Sequence, residues 1–75
     1  MKDKVLEILQ REFPDIDFTA SDELVTDGVI DSFTLTNLIA TLMTELDVEI
    51  PYEEIVEENF NSVDAIAEMV ERLAE

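Results

Sequence analysis

The chemistry of this chain converges on one run of residues, Asp27-Gly28-Val29-Ile30-Asp31-Ser32-Phe33. Gly28 is the only glycine in the chain, and it permits a tight turn that other residues resist. Ser32 follows at the predicted start of a helix, where unpaired N–H groups and the positive end of the helix dipole favour an anion. A phosphodiester on its hydroxyl is stabilised there by the backbone, without a lysine. Phe33 beside it offers a partner an apolar contact. A simpler role also fits Asp31 and Ser32, because such residues commonly cap helices. The rest of the reactive inventory is thin. The chain has no cysteine and no histidine, which removes disulfides, thiolate metal ligands and the commonest general base at neutral pH. Carboxylates abound, but so small a domain has no evident pocket to perturb their protonation, so it is read as a non-enzyme. Tyr52 and the Met43/Met69 pair read as packing or rim residues.

The elements that must position Ser32 are helical. Val5, Leu6, Leu9 and Phe13 recur at helical spacing, with Ile8 on the flank, and predict a first helix from Asp3 to Phe13 that Pro14 stops. A long connection, Asp15 to Asp31, is pegged to the core by Phe18, Leu24, Val29 and Ile30; a loop of this length has structure of its own or a function. The second helix begins at Asp31-Ser32. Its apolar face is Leu35, Leu38, Ile39, Leu42 and Leu46, opposite Thr34, Asn37, Thr41, Thr44 and Glu45. Asp47 to Pro51 forms an extended link, a brief third helix covers Tyr52 to Glu57, and Asn61-Ser62 cap a last helix. That helix turns Val63, Ile66, Ala67, Val70 and Leu73 inward. The predicted fold is an all-α bundle of three longer helices and one short one, a single domain over residues 1–75 without repeats or linkers.

Charge narrows the partners. Twenty acidic residues against four basic ones give a net charge of −16, and no positive side chain occurs between Glu12 and Glu71. Nothing here neutralises phosphates, which excludes nucleic acid and anionic lipid as ligands. Basic protein surfaces are the expected partners, reached through long-range attraction. An apolar fraction of 47 % is too high for a disordered acidic tail. No apolar run approaches the roughly 20 residues that span a bilayer, and no signal peptide is recognisable, so a cytoplasmic monomer is expected. A calcium loop begun at Asp15 fails at its diagnostic places, with Ala20 at the sixth position and Thr26 at the twelfth.

Gly28-Val29-Ile30-Asp31-Ser32-Phe33 resembles the phosphopantetheine attachment motif of acyl carrier proteins, often Gly-x-x-Asp-Ser-Leu. Glu45-Leu46-Asp47-Val48-Glu49-Ile50-Pro51 is similar to that family's segment between helices two and three. Asn61-Ser62-Val63-Asp64-Ala65-Ile66 is similar to the start of its last helix, so the resemblance covers nearly the whole chain. It implies a four-helix acyl-carrier-type bundle whose Ser32 receives 4′-phosphopantetheine from a phosphopantetheinyl transferase. The thiol of that arm holds an acyl or aminoacyl group as a thioester, which suits a chain without cysteine. Asp31, by the same resemblance, helps to place the cofactor donor and its metal within the transferase.

Further partners implied are a loading ligase and a downstream transferase with basic docking surfaces. The family usually carries acids on the exposed face of helix two; here that face reads Thr34, Thr36, Asn37, Ala40, Thr41 and Thr44. Docking is therefore expected at Phe33 and at Glu53, Glu54, Glu57 and Glu58. Phenylalanine after the serine, and Phe60-Asn61-Ser62 before the last helix, look like D-alanyl carrier proteins, which serve teichoic acid alanylation. A specialised carrier from a biosynthetic cluster is the other reading within the family. Outside it stands an acidic helical adaptor or nucleic-acid mimic without a prosthetic group, which gives no reason for a glycine turn leading to Asp-Ser.

Overall fold

Apolar residues at helical spacing become four α-helices in the computed structural model, which describes residues 2–74. They are α1 (Lys2–Glu12), α2 (Ser32–Leu46), α3 (Glu57–Phe60) and α4 (Val63–Ala74), with a 3-10 turn at Tyr52–Glu54 ahead of α3. The architecture is the small all-helical bundle that the periodicity predicts, three longer helices and one short. α1 packs against both α2 and α4, and α3 abuts α4. Among the described residues, no helix is long and apolar enough to cross a membrane.

The core draws Val5, Ile8 and Leu9 from α1, Leu38 and Leu42 from α2, Phe60 from α3, and Val63, Ile66, Ala67, Met69 and Val70 from α4. Ile8 is more buried than the predicted face residues Leu6 and Phe13, which are only partly covered. Because α1 has neighbours on two sides, its buried sector is wider than a single stripe. Met69 belongs to the core for a similar reason, since α4 meets both α1 and α3.

Three local expectations are corrected. The third helix does not run from Tyr52 to Glu57: Ile55 (φ −85°, ψ 78°) and Val56 (φ −130°, ψ 153°) leave the helical region and split it into the 3-10 turn and α3. Both are β-branched residues, which favour extended backbone. The link after α2 opens with Asp47 in the left-handed conformation at φ 52°, its N–H bonded to the Met43 carbonyl. Only beyond it do Val48 and Ile50, two residues apart, turn to the same side and enter the core. Val29 is exposed although it was expected to peg the long loop, while its neighbour Ile30 is buried.

Candidate functional site

The loop that leads to Ser32 is held at several points. Phe18, Leu24 and Ile30 are buried. The Leu24 N–H donates to the Asn61 carbonyl (2.8 Å), and the Ile30 N–H donates to the Leu24 carbonyl (3.0 Å). Asn61 Oδ1 accepts the N–H groups of Val25 (2.9 Å) and Thr26 (3.0 Å). Asn61, expected as a cap for α4, therefore spends its side chain on the loop. Ser62 alone caps α4, its Oγ accepting the Ala65 N–H at 3.0 Å.

Gly28 sits at φ 80°, and its N–H donates to the Val25 carbonyl at 3.1 Å. A Cβ placed there would meet nothing within 4 Å, so the need for glycine comes from the backbone alone. Gly28→Ala is expected to cost about 1–2 kcal/mol, and Gly28→Asn less, because asparagine tolerates the left-handed region. Thermal denaturation checks this; an unchanged melting temperature for the alanine variant would mean that the turn does not require glycine.

Asp31 caps α2 from an extended conformation (φ −86°, ψ 177°), its Oδ1 accepting the Thr34 N–H at 2.7 Å. The Thr34 N–H, then the Thr34 hydroxyl and to a lesser degree the Phe33 N–H, hold the Asp31 carboxyl below its ordinary pKa, against a smaller opposing effect of desolvation. A folded-state pKa below the unfolded one means that the cap stabilises fully above the ordinary carboxylate range. That contribution is lost as pH falls through the depressed value. The arrangement also corrects an expectation: the Thr34 N–H belongs to Asp31, so an anion on Ser32 finds part of the helix terminus already occupied. What the terminus still offers such an anion is the field of the helix dipole.

Ser32 is the first residue of α2 and is exposed. Its carbonyl accepts the Thr36 hydroxyl at 3.0 Å, but among the described residues no hydrogen bond uses its own hydroxyl. The other two serines of the chain are committed. Ser21 Oγ donates to Asp27 Oδ2 and accepts the Glu23 N–H, both at 2.9 Å, and Ser62 Oγ caps α4. Ser32 is therefore the one serine with an accessible and unengaged nucleophile. Phe33, next to it, is 78 % exposed. These residues fit a covalent arm at Ser32: the hydroxyl is open to solvent and the helix that carries it is capped independently.

The acidic surface is divided. Glu53, Glu57 and Glu58 are exposed and alternate with the exposed apolar residues Tyr52, Ile55 and Val56. Glu54 is half-buried and committed within the fold, its Oε1 accepting from Arg72 (2.8 Å) and Asn59 (3.3 Å). Arg72 first, with Asn59, holds the Glu54 carboxyl low against desolvation. Glu54 thus ties the 3-10 turn to α4 and is a poorer docking acid than its neighbours. Glu45, the only charged residue of α2, is paired with Arg11 at 2.7 Å, so the outer face of that helix has almost no net charge to present. Thr36, Asn37, Ala40 and Thr44 are exposed on α2, whereas Thr34 and Thr41 are half-buried.

The chain matches no protein-family model, and no curated protein matches it. Its function is therefore read from these residues and their placement.

Proposed function

We propose that the chain is a carrier protein whose Ser32 bears a 4′-phosphopantetheine arm and whose bundle presents the attached acyl or aminoacyl group to partner enzymes. The observation that carries this reading is the exposed, unengaged Ser32 hydroxyl directly after the Asp31 cap, in a chain whose other serines are bonded. When bound, the arm supplies the thiol that cysteine would otherwise provide. Asp31 keeps α2 capped whether or not Ser32 is modified, so modification need not disturb the helix. A phosphopantetheinyl transferase would load the arm. The cytoplasm is where we place the reaction. For the cargo, Phe33 after the serine and Phe60-Asn61-Ser62 favour D-alanine for teichoic acid modification, and a specialised biosynthetic cluster uses the same features. An acidic adaptor would account for the carboxylates but would leave the placement of Ser32 without a purpose.

Docking is proposed at Phe33 together with Glu53 and Glu57, because α2 itself offers threonines and a neutralised Glu45. Phe33→Ala is expected to slow loading by the cognate ligase more than Thr41→Ala does, since an exposed aromatic anchor dominates small interfaces. Reversing Glu53 and Glu57 to lysine is expected to lower the association rate and its salt dependence, as rim charges do. Stopped-flow kinetics over a range of salt concentrations measures both effects. No change on double reversal, with transfer crippled by Asn37 or Thr41 substitutions, would place docking on α2 instead.

A further inference from the structure

We infer that Asn61, far from Ser32 in sequence, is a positioning residue for the loading of Ser32. The inference rests on the carrier reading and adds the device that aims the serine.

Asn61 lies at the corner between α3 and α4, directly after the buried Phe60 and two residues before the buried Val63. From there it takes the N–H groups of three consecutive loop residues: Leu24 on its carbonyl, and Val25 and Thr26 on its Oδ1. Its Nδ2 faces the Thr26 hydroxyl at 3.1 Å, so both ends of the amide are used. Leu24 passes the restraint on, since its carbonyl holds the Ile30 N–H at 3.0 Å. Ile30 is buried and adjoins Asp31, whose carboxylate starts the helix at Ser32. Between Leu24 and Ile30 the chain makes the Gly28 turn, in which Val25 packs against the core and Asp27 accepts the Ser21 hydroxyl at 2.9 Å. The Asn61 amide is the side-chain restraint that ties the start of this turn to the α3–α4 corner, and through Leu24 and Ile30 it helps to fix where Asp31-Ser32 lie.

In loading, the Ser32 oxygen forms a bond to the phosphorus of the pantetheine phosphate in coenzyme A. The phosphoanhydride P–O bond breaks, and adenosine 3′,5′-bisphosphate leaves as the serine gives up its proton. A transferase must find Ser32 and Asp31 in one arrangement. If that arrangement is populated only part of the time, apparent affinity falls by the same fraction while the saturated rate stays.

The test uses the full chain, a promiscuous phosphopantetheinyl transferase and coenzyme A, with initial loading rates measured against chain concentration. Amide hydrogen exchange is recorded on the same samples. Asn61→Ala is expected to raise KM about tenfold with kcat within about twofold, the signature of a reduced competent fraction. Thr26 and Ile30 amides should exchange faster, with those of α4 unchanged. Asn61→Asp, which keeps the acceptor for both N–H groups, is expected to restore KM to within about threefold. A KM for Asn61→Ala equal to the parent's, with faster exchange at Thr26 and Ile30, would overturn the positioning role. So would loop and α4 amides accelerating together. If Asn61→Ala does not fold, Thr26→Val decides, since it removes only the hydroxyl contact: a rise in KM supports the inference and none overturns it. A parent chain that is not loaded at all would overturn the carrier reading itself, and the inference with it.

Discussion

Ser32→Ala is expected to lose all loading by a phosphopantetheinyl transferase while keeping its helices and nearly all its stability. The two properties separate because different residues serve them. Asp31 makes the cap hydrogen bond to Thr34, and the Ser32 hydroxyl makes none among the described residues. Exposed substitutions away from such features change stability by no more than about 0.5 kcal/mol, and alanine is a good helix former at the first helical position. Asp31→Ala is the informative comparator: it removes the cap, so it should destabilise the fold where Ser32→Ala does not. Intact-mass analysis and thermal melting of both variants check this. Arm attachment to Ser32→Ala, on Ser21 or Ser62, would show that hydroxyls engaged in the fold are nonetheless modified.

Phe60→Ala is expected to be the most damaging substitution in the fold. Phe60 is fully buried at the end of α3, beside the corner where Asn61 meets the loop. Truncating a buried phenylalanine costs about 3–5 kcal/mol, against a total of about 5–15 kcal/mol for a typical domain. For a chain this short the melting temperature should fall by at least about 12 °C. Phe60→Leu should recover most of the loss, because it leaves a smaller cavity. Thermal unfolding followed by circular dichroism measures both, and a drop of only a few degrees for the alanine variant would mean that the corner repacks freely.

The helices were readable because their apolar residues repeat over two turns or more. Leu38 and Leu42 in α2, and Ile66, Ala67 and Val70 in α4, lie where periodicity puts them. Tyr52 to Phe60 was not, since two short turns separated by Ile55 and Val56 leave too few residues for any period to emerge. The Asp31-Ser32 start of α2 was legible from residue types, but not which of the two carries the cap. Both residues can accept an N–H, and in the folded chain it is Asp31 that does so. Glu54 illustrates the same limit: its neighbours in sequence are exposed acids, and its own commitment depends on Arg72, which lies 18 residues away. Residue type alone makes Asn61 a cap, because asparagine before a helix usually is one; its bonds to Val25 and Thr26 are contacts across 36 and 35 residues. The signal that could have found it is Ser62, a sufficient cap by itself.

One measurement tests carrier function most directly: intact mass of the unaltered chain after incubation with a promiscuous phosphopantetheinyl transferase and coenzyme A, followed by peptide mapping. Carrier function predicts the addition of a single phosphopantetheine group, mapped to Ser32. A chain whose mass does not change, or one modified at any other residue, would contradict it.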